Sequence, residues 1–149
     1  MAQPATEPLT LELAEEIIAA AKKKAEDLGV KEDIAVVDAG GNLKAFARMD
    51  GAWLGSIDIA MRKARTARYF DMETAKIGKM SQPGEPLYGI EFSNGGLISF
   101  GGGIPLKDRE GIVIGAIGAS GTTVDKDVEI AEAGAEVCKK ARTLSTTAR

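Results

Sequence analysis

The sequence reads GGLISFGGGIPLKDREGIVIGAIGASG over Gly95–Gly121, and this stretch decides the fold. Its apolar residues are largely β-branched, which favours strands, and glycines and alanines stand between them. The charged segment Lys107–Gly111 divides the stretch and is typical of a turn between two strands. We therefore predict a glycine-edged β-hairpin, to which another backbone, a helix or a ligand can come very close.

One helix is predicted near the start of the sequence and another near its end. The first begins after Thr10 as N-cap and ends at Gly29, and the last is capped by Thr122 or Thr123. Asp127 falls near the positive end of the last helix. The predicted buried stripes are Ala14, Ile17, Ile18, Ala21, Ala25 and Leu28 in the first helix, and Val124, Val128, Ala131, Ala135 and Cys138 in the last.

A second hairpin is predicted from strands Ile34–Val37 and Leu43–Met49, with Asp38 as turn former or as an acid or base at the sheet edge. Ser56 is the predicted N-cap of the helix that follows. One side of that helix is basic, which indicates either a solvated face or a site for a carboxylate or phosphate ligand. The basic residues are Arg62, Lys63, Arg65 and Arg68.

A short helix over Met72–Met80 is expected to precede a long loop over Ser81–Asn94. This loop has two prolines and no clear period, so we interpret it as an ordered surface loop that could act as a lid. Tyr88 and Phe92 either offer an aromatic surface to a flat ligand or anchor the loop to the core.

The composition excludes several classes of function. The 149 residues carry a net charge of -3, which argues against general nucleic-acid binding. The chain has no histidine and one cysteine, Cys138, which excludes histidine-based catalysis, histidine-ligated zinc and an intramolecular disulfide. Apart from haem iron, no metal site is predicted.

The N-terminus lacks the pattern of a signal peptide, and no apolar run approaches the ~20 residues of a membrane span. We therefore expect a cytoplasmic protein without a membrane partner. The predicted organisation is a flexible arm over residues 1–8, one domain over residues 9–141 and a tail over residues 142–149.

Several motifs agree in order with one family. They are VVDAGGNLKAFARMDGA, KARTA, GGGIPL and IGAIGASG, followed by an aspartate-rich helix start. Together they resemble the GlcG/HbpS-like family of haem-degrading or haem-binding domains, which also form the C-terminal domain of PduO proteins. The matching positions are Asp38, Gly40, Gly41, Met49, Asp50, Gly51, Lys63, Thr66, Gly102, Gly103, Pro105, Gly115, Gly118, Ser120, Gly121 and Asp127.

The resemblance implies an α+β, profilin-like fold, in which helices flank both faces of a central antiparallel sheet. It also implies homo-oligomers from dimers to octamers, and a small-molecule ligand. Similar proteins are linked to haem binding and breakdown, to cobalamin-related proteins, and to glycolate or diol utilisation. The first hypothesis is therefore that the protein binds haem or a related tetrapyrrole and takes part in haem handling.

The expected ligand contacts combine the basic helix, the glycine strands and the loop aromatics. Because the chain has no histidine, a methionine, a tyrosine or a lysine would have to ligate haem iron. The candidates are Met49, Met61, Tyr69 and Tyr88. The predicted ligand-binding residues are Met49, Arg62, Arg65, Thr66, Tyr88, Phe92, Gly102, Gly103 and Ser120.

Two other functions stay open at this point. One is a metal-free lyase, isomerase or hydrolase acting on a carboxylate or aromatic acid, with Lys63, Asp50 and Asp38 as catalytic candidates. Glu91 is a further acid–base candidate, and Lys63 could have a lowered pKa among its basic neighbours. The other is a non-catalytic oligomeric accessory or sensor module.

Overall fold

The computed structural model describes residues 7–141. Residues 1–6 of the predicted arm and the whole predicted tail lie outside the described residues. Between them, four strands form one antiparallel sheet in the order β2-β1-β4-β3. The strands are β1 (Asp33–Asp38), β2 (Leu43–Arg48), β3 (Gly103–Lys107) and β4 (Val113–Ser120).

Helices cover both faces of the sheet. The helices are α1 (Leu11–Leu28), α2 (Gly55–Phe70), α3 (Thr74–Met80) and α4 (Val124–Lys140), with a 3₁₀ turn at Ile90–Phe92. Helices α1 and α4 pack on one face and form the larger core, while α2 packs on the other face. This arrangement confirms the predicted α+β fold, a central antiparallel sheet with helices on both faces.

The two central strands are buried on both faces because each face has its own helix layer. Almost every residue of β1 and β4 is buried. This explains why both strands are apolar without alternation, a pattern that half-exposed antiparallel strands lack. Strand β2 lies at one edge of the sheet, and most of its residues are partly exposed.

In both hairpins, an aspartate side chain accepts hydrogen bonds from the backbone of the turn. Asp38 Oδ1 accepts hydrogen bonds from the backbone N–H groups of Gly40 and Asn42, at 2.9 and 3.0 Å. Asp108 Oδ1 accepts from the N–H groups of Glu110 and Ile112, both at 2.9 Å. Short aspartate side chains commonly bond the backbone two residues on in this way. The structure thus confirms the prediction that Asp38 forms the turn.

Three of the predicted helix caps are confirmed, and one is wrong. Thr10 Oγ1 accepts from Leu13 N–H at 3.1 Å, and Thr123 Oγ1 accepts from Lys126 N–H at 3.4 Å. Gly29 ends α1 with a φ of 72°, a conformation that favours glycine. The prediction for Ser56 is wrong, because α2 already begins at Gly55 and Ser56 is buried inside its first turn.

The predicted hairpin begins later than its glycines suggested. The segment from Gly95 to Gly102 is not a strand. Gly95, Gly96 and Gly102 have φ values of 71°, 110° and 123°, which a strand does not tolerate. In α4 the predicted stripe is also partly wrong, because Val124 is exposed and Val128 is only half-buried. Asp127 and Ile130 take the inward positions instead.

The loop between α3 and β3 is ordered, but its aromatic side chains do not anchor it. The side chains of Tyr88 and Phe92 are 69% and 91% exposed. The segment that follows the loop is held by α2, where Thr66 Oγ1 accepts from Ile98 N–H at 3.1 Å. The anchoring alternative is therefore wrong, and an outward-facing aromatic surface stays a prediction.

The glycines of β3 and β4 allow α2 to lie directly on the sheet. A Cβ atom at Gly118 would overlap the carbonyl oxygen of Ala60, and one at Gly103 would overlap that of Lys63. Real Cβ atoms do not approach a backbone so closely, so a larger residue would push the helix away from the sheet. The sequence left open whether another backbone, a helix or a ligand lies against these glycines. The structure shows that a helix does.

We predict that Gly118→Ala destabilises the protein by about 1–3 kcal/mol or more, because the added methyl group overpacks the contact between α2 and β4. Urea unfolding followed by circular dichroism measures this change. Gly55→Ala is the control, since a Cβ at Gly55 meets nothing within 4 Å. If both variants unfold at the wild-type urea concentration, the close packing of α2 does not limit stability.

Candidate functional site

A buried ion pair joins the two helix layers at one end of the sheet. The side chain of Lys63 on α2 is 0% exposed. Its Nζ donates to the carbonyl oxygen of Ala119 at 2.8 Å and to Asp127 Oδ2 on α4 at 3.1 Å. Asp127 Oδ1 accepts from Thr122 N–H at 3.2 Å. Lys63 is therefore not part of a solvated basic face, and that expectation is wrong.

A second carboxyl group faces this ion pair. Glu32 precedes β1 and is fully buried, and neither of its oxygens has a donor among residues 7–141. Burial first, and then the neighbouring Asp127 carboxyl group, raises the pKa of Glu32 to about 9. Glu32 is thus neutral at pH 7.

The charges of this buried cluster (Lys63, Asp127 and Glu32) then balance at neutral pH. Burial lowers the pKa of the Lys63 ammonium, while Asp127 and then Glu32 oppose this effect. One ammonium, one carboxylate and one carboxylic acid sum to zero. Such pairing is what a charged group needs when it leaves water.

The buried cluster is closed on its outer side. The ring centroid of Phe100 lies 5.1 Å from Lys63 Nζ, within range for a cation–π contact. A Cβ at Gly102 would meet Lys63 Nζ at 2.5 Å, so no larger residue fits there. Next to it, the buried hydroxyl groups of Ser120 and Ser56 lie 3.0 Å apart. The predicted ligand residues Gly102, Gly103, Ser120 and Thr66 are all buried here or under α2.

The three predicted catalytic residues do not come together. Asp38 and Asp50 lie at opposite ends of the hairpin formed by β1 and β2. The six residues of β2 separate them by about 20 Å at roughly 3.3 Å per residue. Asp50 is exposed, whereas Lys63 is closed off in the buried cluster. Glu91 Oε2 accepts from Ser99 Oγ at 2.9 Å and therefore holds the segment after the loop.

A separate pocket of about 400 Å³ opens on the outer face of α2. Its volume falls in the range of small-molecule sites. The lining residues are Val37, Gly41, Asn42, Leu43, Met61, Arg65, Tyr69, Asn94 and Gly95. We call it the α2 pocket. Met61, Arg65 and Tyr69 are spaced by four residues, and this spacing places them on one face of the helix.

The two neighbouring arginines of α2 have different surroundings. Arg62 Nε donates to Asp58 Oδ2 at 2.7 Å, and its Nη1 donates to the carbonyl oxygens of Gly95 and Gly96. Arg62 therefore fixes the wall of the α2 pocket. Arg65 is half-buried in that pocket and makes no hydrogen bond or ion pair to any residue within 7–141. Of the predicted ligand residues, it is the one that lines the pocket.

The remaining predicted ligand residues lie elsewhere. Met49 packs against the core beneath α1 and α4. Tyr88 and Phe92 line neither cavity. A larger open cleft of about 1090 Å³ lies between α3, β3 and α4. Lysines and glutamates both line it, and it contains none of the predicted site residues.

Sequence reasoning missed Glu32 and the buried role of Asp127. A signal for Glu32 was present, because the charged pair Glu32-Asp33 directly precedes the apolar run of β1. Both residues are fully buried, and burial raises the pKa of Asp33 as well. An aspartate near a helix N-terminus is common, so the position of Asp127 needed no other explanation. Nothing in the sequence indicated that it pairs with Lys63, 64 residues away.

Within residues 7–141 we find no group of three or more acidic or cysteine side chains that could hold a metal ion. None of the helices in this range combines the length and apolarity that crossing a bilayer requires. A haem iron would have to take its axial ligand from a methionine or a tyrosine on an accessible surface. The α2 pocket offers one of each, Met61 and Tyr69.

The sheet order, the helices on both faces and the glycine contact with α2 define a small α+β domain of one recurrent type. The family model described as haem degrading protein HbpS-like matches residues 9–136. The chain therefore belongs to the HbpS-like family, and the resemblance inferred from the motifs is confirmed.

Solved structures show the same fold at substantial identity. Klebsiella pneumoniae protein ORFY superposes with a TM-score of 0.85 and 39% identity, over 89% of this chain and 92% of that chain. A PduOC:haem complex superposes with a TM-score of 0.80 and 35% identity, over 85% of this chain and 91% of that chain.

By sequence, the corrinoid adenosyltransferase PduO of Citrobacter freundii is 38% identical over 125 residues. The match covers 83% of this chain and 37% of PduO. This chain thus corresponds to little more than a third of that relative.

We predict that Glu32→Gln changes how stability depends on pH. Between pH 4.5 and about 9 the folded protein keeps a proton on Glu32 that the unfolded chain has lost. The wild type therefore loses stability as the pH rises through this interval, by up to about 1.4 kcal/mol per pH unit from this group. Glutamine does not titrate, so the variant lacks this contribution.

Urea unfolding at a series of pH values measures the effect. Glu26→Gln, an exposed change of the same chemistry on α1, is the control and should follow the wild-type profile. Profiles that run parallel for wild type and Glu32→Gln would show that Glu32 does not hold the proton.

Proposed function

We propose that this protein binds haem or a closely related tetrapyrrole at the α2 pocket and takes part in haem handling. The observation that carries the proposal is the Arg65 guanidinium, half-buried in a pocket and without a partner among the described residues. A guanidinium group at a pocket with no protein partner is available to bind an anionic group of a ligand. An anionic ligand group would supply that missing partner.

The rest of the α2 pocket offers a ligand both polar and apolar groups. Leu43 and Met61 supply apolar surface, and Leu43 is unusually exposed for its size. A tetrapyrrole with carboxylate side chains combines a broad apolar ring with the anionic groups that an arginine binds well. The family relation and the PduOC:haem complex support this choice of ligand over other carboxylates.

The buried cluster is less suited to bind the ligand. Lys63 already donates to Ala119 and Asp127, and Phe100 and Gly102 cover it. The glycines that sequence reasoning assigned to a macrocycle contact α2. The structure therefore gives no separate support to the metal-free enzyme, whose Lys63 has no open path to a substrate here.

We predict that ferric haem added to the purified protein gives a saturable, one-to-one change in the Soret absorption. Arg65→Glu should weaken this binding on the order of tenfold or more, because it replaces an attractive charge by a repulsive one, about 1.4 kcal/mol per factor of ten. Absorbance titration measures both affinities.

Arg109→Glu is the matched control, since Arg109 is exposed in the turn between β3 and β4 and lies outside the α2 pocket. This variant makes the same change in net charge and should bind haem like the wild type. A flat titration of the wild type would refute haem binding, and equal losses in both variants would refute the assignment to this pocket.

A further inference from the structure

The structure separates the candidate iron ligands by their surroundings. The thioether of Met49 is packed against the core, and Lys63 is held in an ion pair. Tyr88 lies in the loop after α3, outside both cavities. Two candidates, Met61 and Tyr69, line the α2 pocket, and they lie on the same face of α2 as Arg65.

The ring of Tyr69 is positioned by the turn between β1 and β2. A Cβ added at Gly41 would lie 2.8 Å from Tyr69 Cε1, so the ring rests directly on the glycine backbone. The φ of Gly41 is 80°, a conformation that favours glycine. The ring is fixed on this side, while 46% of Tyr69 is exposed. Its hydroxyl group makes no hydrogen bond to the described part of the chain.

A phenolate is the more suitable iron ligand of the two. Tyrosine serves as the sole protein ligand of ferric haem in some proteins, whereas methionine typically acts together with a histidine, which this chain lacks. To ligate iron, the phenol must lose its proton, and water can accept it because 46% of Tyr69 is exposed. Arg65 lies one helical turn before Tyr69 and has no carboxylate partner among residues 7–141.

We infer that Tyr69 would supply the protein ligand to the iron of a haem bound in the α2 pocket, where Arg65 faces the ligand carboxylates. This inference rests on the proposed function, because it needs haem to bind there. It assigns the histidine-free chain a specific ligand chemistry, a ferric iron–phenolate bond.

The test compares ferric haem with iron-free protoporphyrin IX on the same variants. In the wild type, the iron–phenolate bond should make ferric haem the tighter ligand. Tyr69→Phe should lower the affinity for ferric haem on the order of tenfold, about 1.4 kcal/mol of lost ligation, and leave protoporphyrin IX binding unchanged. It should also remove the iron–phenolate vibration from the resonance Raman spectrum.

Phe70→Leu is the control, because Phe70 is an exposed aromatic residue next to Tyr69 that does not line the α2 pocket, and it should leave both affinities and the spectrum as in the wild type. Tyr69→His should restore tight ferric haem binding with the spectrum of a nitrogen ligand, which guards against a variant that merely fails to fold. Met61→Leu should keep the phenolate signature.

The outcomes separate this inference from the proposed function. If the wild type binds neither porphyrin, the proposed function fails and the inference fails with it. If Tyr69→Phe keeps the wild-type ferric spectrum, Tyr69 is not the ligand although haem binding stands. If Tyr69→Phe weakens both porphyrins equally, the ring shapes the pocket and does not ligate iron, which also overturns the inference.

Discussion

The buried ammonium of Lys63 is the constraint on which the rest of the structure depends. A charge removed from water must be matched in geometry and in sign, or the fold loses several kcal/mol. Asp127 therefore turns inward from α4, and the carbonyl of Ala119 accepts a second hydrogen bond. Glu32 can be buried beside them because it keeps its proton. The ion pair thereby connects helices that lie on opposite faces of one sheet.

The same constraint explains why the glycines occur where they do. The stem of Lys63 and the backbone of α2 lie so close to β3 and β4 that Gly102, Gly103 and Gly118 leave no room for a Cβ. Helix α2 consequently has two chemically distinct sides. Its inner side fixes the architecture through the buried ion pair. Its outer side takes no part in the ion pair and carries Met61, Arg65 and Tyr69 at the α2 pocket.

This division bears on how an HbpS-like domain without histidine could handle haem. The family relation covers nearly the whole domain, and a relative has been solved as a haem complex. Nothing in that relation fixes the ligand of the iron in a chain without histidine. The fold restricts the choice, because most methionine, tyrosine and lysine candidates are buried, paired or remote. The ring proposed as the ligand rests on the Gly41 backbone, and the arginine on the same helix face has no partner among residues 7–141.

Local patterns in the sequence determined the strands of both hairpins, their aspartate turns, the helix caps at Thr10 and Thr123, and through its motifs the family. These features depend on neighbours in the chain, so they are visible without a structure. Only the tertiary structure decided that Lys63 is buried, that Asp127 and not Val124 faces inward, and that Arg62 has protein partners where Arg65 has none among residues 7–141. These features depend on residues distant in sequence, 64 positions away for Lys63 and 33 for Arg62. Periodicity places a charge on a helix, but only packing determines whether water or another charge faces it.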